Sequence, residues 1–313
     1  MINHKMAVVL PCYNEELAIE QVVKSFQTAL PNSLIYVYDN NSTDKTATNA
    51  KKAGAIVRHE KRQGKGYVMR RAFADIEADI YVMADGDGTY DAQSTPKMID
   101  LLIKNQLDMV VGVRSDDRKK KVYRTGHRFG NRLLTNTIAF LFGSQFSDVL
   151  SGFRVFSKRF VKSFPALASG FEVEAMLTIH ALELRLPTAE IDTPYFERAE
   201  GSRSKLNTYK DGFKIMSTII SLFKDTRPFA FFGTIAILLA TTSIGLMVPI
   251  FIEFLETGLV PRFPTAILST GLMIIAGISL TSGLILDNVS QNRLQQKRLV
   301  YLQYPAPQPE YED

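Results

Sequence analysis

The chain has 313 residues, a net charge of +5, a single cysteine and no tryptophan. That length accommodates one sizeable α/β domain plus an appendage, and one cysteine excludes an internal disulfide and any Cys/His zinc pattern. The positive charge suits anionic substrates or a membrane surface; nucleic acid would account for the charge but not for the long apolar runs of the C-terminal third.

Met6–Leu10 is an apolar run that predicts a buried strand ending at Pro11. Asn14-Glu15-Glu16 predicts a helix start with acidic residues near its positive end, running to about Leu30. Leu34–Tyr38 predicts a second strand. Asn41-Ser42-Thr43-Asp44 then predicts a helix capped by Ser42 or Asn41 and ending near Gly54. A short strand at Ala55–Arg58, a helix from Gly64-Lys65-Gly66 through Ala74, a strand at Ile80–Ala84, a helix at Pro96–Lys104 and a strand at Leu107–Val113 follow. Strands alternating with helices imply parallel pairing and right-handed crossovers. In such sheets ligands bind beyond the C-terminal strand ends, where the strand order switches. Asp39, Asp85, Asp87 and Arg114 all fall just past predicted strand ends. Met1–Met6 lacks the apolar stretch of a signal peptide, so the expectation is a domain that stays in the cytosol.

Asp85-Gly86-Asp87 places two carboxylates two residues apart at the end of a buried strand. Hard cations such as Mg²⁺ take carboxylate oxygens, commonly one or two of them plus substrate phosphates, which points to a metal–diphosphate substrate. Asp-x-Asp is also common in surface turns; position at a strand end is what favours the metal reading here.

Pro228–Ile252 and Pro264–Leu286 contain no charged residue. Each has the roughly 20–25 residues that cross about 30 Å of hydrocarbon as a helix. Lys224 and Arg227 precede the first run, and Arg293, Lys297 and Arg298 follow the second. The positive-inside rule then predicts both ends in the cytoplasm around a small outside hairpin, Glu253–Phe263. Ahead of the first run, Phe213, Met216, Ile220 and Phe223 recur at helical spacing among Lys210, Asp211, Lys214 and Lys224. This predicts an amphipathic helix, lying in the membrane interface or packed on the soluble domain. The implied organisation is a domain over 1–207, an interfacial helix over 208–226, a two-helix hairpin over 227–290 and a tail over 291–313, Pro-rich and disordered from Tyr304.

Four motifs then coincide in order and spacing: Val9-Leu10-Pro11-Cys12-Tyr13-Asn14-Glu15-Glu16, Asp39-Asn40-Asn41-Ser42-Thr43-Asp44, Gly64-Lys65-Gly66 and Asp85-Gly86-Asp87. Together they resemble the nucleotide-sugar half of family-2 glycosyltransferases of the GT-A fold, a Rossmann-like, mostly parallel α/β sheet. Ser151-Gly152-Phe153-Arg154 and Arg198…Gly201…Ser204-Lys205 are similar to the polyprenyl-phosphate group of that family. That group includes dolichol-phosphate mannose synthases and bacterial undecaprenyl-phosphate glucosyltransferases, and the two spans match its bacterial members. The resemblance implies that Pro11, Tyr13 and Glu15 line a nucleoside pocket and that Asp39 accepts a base N–H. It implies Lys65 near the phosphates, and Asp85 and Asp87, with Gly86 between them, holding Mg²⁺ or Mn²⁺ against the diphosphate. Arg198 and Lys205 would neutralise the leaving group. The Gly-to-Lys spacing is one residue longer than in the mannose synthases, which leaves the choice among Arg198, Arg203 and Lys205 open.

A lipid-phosphate acceptor calls for cations beside apolar residues. Arg114, the run Arg118–Lys121, Arg124, Arg128 and Arg132, followed by Leu133, Leu134, Ile138 and Phe140, suit that role. The resemblance adds Ser151 and Arg154 as acceptor-phosphate ligands. A phosphate monoester is already anionic, so orientation and leaving-group stabilisation are the main demands. The expected reaction is inverting transfer from a UDP-sugar, ahead of a GDP-sugar, to undecaprenyl phosphate. Asp148 is the candidate orienting group or weak base, with Glu172 and Glu174 as alternatives. A processive synthase is disfavoured by the missing tryptophan. A membrane-anchored transferase to a sugar or protein hydroxyl, or a silent scaffold for a lipid-sugar flippase, are the alternatives. Gly271 and Gly277 suggest a homo-oligomer, a tetramer as in similar proteins.

Overall fold

The computed structural model of the protein describes residues 4–115, 137–139, 143, 146–166, 170, 172–198, 217, 220–221 and 223–308. The chain divides into two compact units, Met1–Ile215 with Lys297–Asp313, and Met216–Gln296.

The first unit is built on a seven-stranded sheet. Its elements are β1 (Met6–Cys12), α1 (Ile19–Ala29), β2 (Leu34–Asp39), α2 (Thr46–Lys52), β3 (Ile56–His59), α3 (Lys65–Asp75) and β4 (Ile80–Met83). A 3₁₀ turn at Ala92–Ser94 leads into α4 (Thr95–Lys104), then β5 (Met109–Ser115), β6 (Arg154–Ser157), α5 (Lys158–Ser163), α6 (Val173–Leu184) and β7 (Thr188–Pro194). The spatial order is β3-β2-β1-β4-β6-β5-β7. Only β6 runs antiparallel to its neighbours. The chain fills one side of β1 with β2 and β3, then crosses to β4 on the other. The order therefore reverses between β1 and β4, and the loops after β1, β2 and β4 meet over one crevice.

Alternation along the strands separates two apolar layers. Val8, Leu10, Val37 and Val82 pack with Ile19, Val23 and Phe26 of α1 and Met98 and Leu102 of α4. On the other face Phe73 of α3 makes edge-on contacts with Tyr81, Phe156 and Phe164.

Five element boundaries differ from expectation. Helix α1 starts at Ile19 rather than Asn14, and α2 at Thr46 rather than Asn41, so neither Ser42 nor Asn41 is a cap. Their neighbourhood instead joins the β1–α1 and β2–α2 loops. Ser42 Oγ accepts from Asn14 N at 2.9 Å, Thr46 Oγ1 from Glu15 N at 2.8 Å, and Asp44 Oδ2 from Glu16 N at 3.2 Å. In return Thr43 N donates to Asn14 Oδ1 at 2.8 Å and Lys45 N to Glu16 Oε2 at 3.0 Å. Short polar side chains that compete for backbone groups find them here on a neighbouring loop, and Asp44 serves its own helix as well, its Oδ1 accepting from Thr46 N at 2.9 Å. Finally, β1 continues through Pro11 to Cys12, while β3 and β5 are displaced one or two residues C-terminal of expectation.

The second unit holds α7 (Pro228–Thr257, with Pro249 inside it) and most of α8 (Phe263–Tyr301). Both are long and apolar enough to cross a membrane. Their apolar side chains point outward: Ile237 is 65% exposed, Leu238 62% and Ile285 63%. A water-soluble fold rarely leaves so much contiguous apolar surface bare. The two helices are joined by polar contacts in an otherwise apolar seam. Ser243 Oγ donates to Ser269 O at 2.7 Å and Ser269 Oγ to Ser243 O at 2.9 Å, and Ser279 Oγ donates to Phe232 O at 3.0 Å. The close approach falls at Gly283, where a Cβ would stand 3.1 Å from Phe232 Cβ; Gly271 and Gly277 have no such neighbour within 4 Å.

Helix α8 runs on through Asp287 and Arg293, so the tail expected from 291 is helical to Tyr301. Within the first unit, Tyr301 donates to Asp108 Oδ2 at 3.0 Å and Lys297 pairs with Glu183 at 2.6 Å. Gln308 O lies 3.1 Å from His4 Nε2, so the described part of the Pro-rich end is tied to the first unit rather than loose. Most of the segment expected as an amphipathic helix, and the basic run 116–136, lie outside the described residues.

Candidate active site

Asp39 ends β2 and is 5% exposed. Its Oδ2 lies 3.3 Å from His59 Nδ1, and its Oδ1 is buried without a hydrogen-bond partner. Asn40, next in the chain, is buried and organises the loop that follows β3. Its Nδ2 donates to Glu60 O and Arg62 O at 2.8 and 2.7 Å, and its Oδ1 accepts from Gly64 N at 2.7 Å. Gly64 has φ 138°, a conformation suited to glycine, and it delivers Lys65 as the first residue of α3. Pro11, Tyr13 and Glu15 are half-buried on the adjoining β1–α1 segment.

Lys65 does not stand open toward solvent. Its ammonium is buried and donates to Asp85 Oδ1 and to Glu174 Oε1, each at 2.5 Å. Burial opposes its charge, but Asp85 and Glu174 outweigh that and hold its pKa well above the usual value. Gly152 closes this cluster: a Cβ there would meet Asp85 Oδ2 and Lys65 Nζ, both at 2.9 Å.

Asp85 and Asp87 follow β4 across Gly86. The Asp85 side chain is 31% exposed, with Lys65 on one oxygen; Asp87 is 4% exposed. Asp87 Oδ1 accepts from Thr89 N at 3.1 Å and Thr89 Oγ1 at 2.7 Å, and its Oδ2 pairs with Arg198 at 2.6 Å. Arg198 arrives there because the chain after β7 folds along the loop after β4. Tyr195 bridges to Tyr90, and Phe196 N donates to Thr89 O at 2.8 Å. Among the described residues no third Asp, Glu, His or Cys completes a cage. The donor set of two hard carboxylates fits Mg²⁺ or Mn²⁺, which accept few protein ligands and complete their shell with phosphate and water. A cleft of about 440 Å³ opens beside Asp87, walled by Gln21, Val22 and Phe26 of α1 and by Phe196.

Three of the expected acceptor residues, Arg114, Ser151 and Arg154, lie among the described residues and are each bonded within the protein. Arg114 at the end of β5 binds Asp148 bidentately, with Nε and Nη2 both 2.7 Å from its carboxylate oxygens. Burial pushes the Asp148 pKa up, but Arg114 more than offsets it and the net shift is downward. The Arg114 guanidinium also lies 5.6 Å from the Tyr195 ring centre. Ser151 is buried and donates to Gly112 O. Arg154 is fully buried. It donates to Ser151 O at 2.9 Å, Val149 O at 2.6 Å and Thr178 Oγ1 at 2.9 Å, so its guanidinium braces the loop before β6. Burial lowers its pKa to about 10. Arg128, Arg203 and Lys205 lie outside the described residues.

Tyr90 was not singled out from the sequence. It is 9% exposed, its hydroxyl accepts from Gly152 N at 2.8 Å, and its ring packs on Phe153 and Tyr195. The signal was an aromatic three residues beyond the carboxylate pair.

The profile of glycosyl transferase family 2 matches residues 7–164. Glycosyltransferase AglJ of Haloferax volcanii is 30% identical over 302 residues, 95% of this chain and 98% of that protein. This chain belongs to glycosyl transferase family 2. An uncharacterized protein of Shigella flexneri is 52% identical over 154 residues, 49% of this chain and 94% of its own length. The dolichyl-phosphate hexose transferase of Haloferax volcanii is 28% identical over 222 residues, covering 71% of this chain and 95% of that one. Among solved structures, glucosyl-3-phosphoglycerate synthase from Mycobacterium tuberculosis in complex with Mn²⁺, UDP-glucose and phosphoglyceric acid superposes with a TM-score of 0.58. It is 25% identical, covering 70% of this chain and 79% of that one. The mixed, mostly parallel sheet described above is thus the GT-A sheet of a family-2 glycosyltransferase.

Proposed function

We propose that this glycosyltransferase moves a sugar from a UDP-sugar to a polyprenyl phosphate, undecaprenyl phosphate in a bacterial membrane, with inversion at the anomeric carbon. The observation that carries this reading is the coexistence in one chain of a diphosphate-type carboxylate pair at the sheet's switch point and two helices with outward apolar faces. The relative that is named a dolichyl-phosphate hexose transferase, and the solved neighbour holding Mn²⁺ and UDP-glucose, agree with it.

The unpartnered Asp39 Oδ1 suits a base N–H such as that of uracil, since a buried acceptor gains most from a donor it lacks. Asp85 and Asp87 would hold Mg²⁺ or Mn²⁺ against the diphosphate. The bound ion would act as a Lewis acid toward the departing nucleoside diphosphate. Arg198, already on Asp87, is within reach of the same charge. Asp148 has both oxygens on Arg114, which leaves it a poor proton acceptor. That suits an acceptor that is itself an anion better than one whose hydroxyl must be deprotonated. The basic, apolar-flanked stretch 118–142 would meet the lipid phosphate at the membrane surface, with both chain ends on the cytoplasmic side.

The test is a transfer assay. The full chain is incubated with undecaprenyl phosphate, Mn²⁺ or Mg²⁺ and a panel of radiolabelled UDP- and GDP-sugars, and label entering the organic phase is counted. One UDP-sugar transferring, with loss in Asp87→Ala, supports the proposal. Metal-dependent release of UDP without lipid product would overturn the acceptor and leave the hydroxyl alternative.

A further inference from the structure

Glu174 sits in the first turn of α6, 4% exposed and 109 residues along the chain from Lys65, whose ammonium it binds. Its Oε1 accepts from Lys65 Nζ; its Oε2 is buried with no hydrogen-bond partner. The same ammonium also binds Asp85 Oδ1. One buried cation is therefore shared by two carboxylates of different character. The Glu174 side chain is sealed, at 6% exposure, while that of Asp85 is 31% exposed and follows β4 into the crevice.

That arrangement has a consequence for any cation at Asp85. A divalent ion on Asp85 faces the ammonium across a single carboxylate, and like charges at that range repel strongly in a poorly solvated site. If Asp85 were the ammonium's only counter-ion, metal binding would leave a buried, unpaired cation, which is costly. Glu174 removes that conflict, because its second oxygen is unused and the ammonium can stay with it. The Gly152 backbone restricts where Lys65 can otherwise go.

We propose that Glu174 is a positioning residue that sets the divalent-cation affinity of Asp85 and Asp87 by holding the Lys65 ammonium when Asp85 turns to the ion. This rests on the reading that the pair holds a metal.

The experiment uses the full chain in detergent and Mn²⁺ alone. Free Mn²⁺ is followed by its electron paramagnetic resonance signal in a titration that needs no substrate and no turnover. Wild type is compared with Asp87→Ala, Glu174→Gln, Glu174→Asp, Lys65→Met and the double variant Lys65→Met/Glu174→Gln, each checked for folding by circular dichroism. Partners of metal ligands commonly shift affinity about 10- to 100-fold, so Glu174→Gln is expected to bind Mn²⁺ at least about tenfold more weakly than wild type. Glu174→Asp should recover most of that loss. With Lys65 removed, Glu174→Gln should change affinity little, because the conflict it resolves is gone. Wild-type affinity in Glu174→Gln overturns the proposal while leaving the metal site standing. The same fold loss in both backgrounds also overturns it, since Glu174 would then act only as distant negative charge. Wild type indistinguishable from Asp87→Ala overturns the metal reading itself. Should Glu174→Gln alone fail to fold, the double variant read against Lys65→Met still decides whether Glu174 acts through Lys65.

Discussion

Gly86 separates the two carboxylates, and the structure says why it has no side chain. Its φ lies outside the left-handed region, so the backbone there admits any residue. Space is the constraint: a Cβ would stand 2.3 Å from Cys12 Sγ, with the next atoms, Ile19 Cδ1 and Cys12 Cβ, at 3.5 and 3.6 Å. Heavy atoms pack best at about 3.5–4.0 Å, so Gly86→Ala forces a displacement of more than about 1 Å against a single sulfur. Overpacking of that kind costs about 1–3 kcal/mol, or about 2–4 °C of melting temperature per kcal/mol for a domain of this size. The relieving shift moves Asp85 and Asp87 with it, and about 1 Å of misplacement can reduce turnover about 10²-fold. Cys12→Ala removes the clashing atom for about 1 kcal/mol, the cost of one small buried group and its cavity. The double variant Cys12→Ala/Gly86→Ala should then be about as stable as Cys12→Ala alone, with a favourable coupling of about 1–3 kcal/mol, and should regain sugar transfer. Thermal unfolding in detergent and the radiolabel assay read the two quantities. A double variant no better than Gly86→Ala would refute the steric account.

Three further outcomes are expected. Arg154→Met should lose about 3 kcal/mol or more in chemical denaturation, since it leaves two buried carbonyls and the Thr178 hydroxyl without their donor, at about 1–3 kcal/mol each; a stable variant with a raised acceptor KM would instead place the guanidinium in the crevice. The Asp148 pKa is lowered in the folded state, so the stability this group contributes is complete above its unfolded value of about 4 and disappears as pH falls through the depressed folded value. Acid titration of Asp148→Asn should lack that component, and an unchanged acid limb would contradict it. Tyr301→Phe removes the bond to the fully buried Asp108, which Arg159 also holds; the loss should be about 1 kcal/mol, measured by the urea midpoint, and no loss would mean that the bond contributes nothing to stability.

The parts of the fold that rest on periodicity were legible from the residues: five strands and four helices to Ser115 appear in the expected order, with the apolar runs of β1, β2, β4 and β5 largely buried in the sheet and β3 at its exposed edge. Strands β6 and β7 were not, since Arg-Val-Phe-Ser and Thr-Ala-Glu-Ile-Asp-Thr-Pro carry no apolar run of their own. Their register comes from neighbouring strands. The positions of Asp39, Asp85 and Asp87 at strand ends were legible, because a strand end fixes where a carboxylate goes. The protein partners of Arg154 were not legible, because an arginine beside Ser-Gly-Phe carries the same chemistry whether it meets a phosphate or three protein acceptors. Burial decides, and burial is a property of the assembled sheet. The pairing of Lys65 with Glu174 was invisible for the same reason, joining residues 109 apart.

The laced loops after β1 and β2 carry a consequence for how recognition is divided. Backbone amides of Asn14, Glu15, Glu16, Thr43 and Lys45 are already satisfied across the two loops before any ligand arrives. Little chain entropy then remains to be lost by these loops on binding the nucleoside of the proposed donor. Substitution within either loop disturbs several bonds at once, so this half of the site resists drift. These two loops therefore form one pre-braced unit beside the crevice, whereas the cleft beside Asp87 is walled by separate side chains of α1 and the segment after β7.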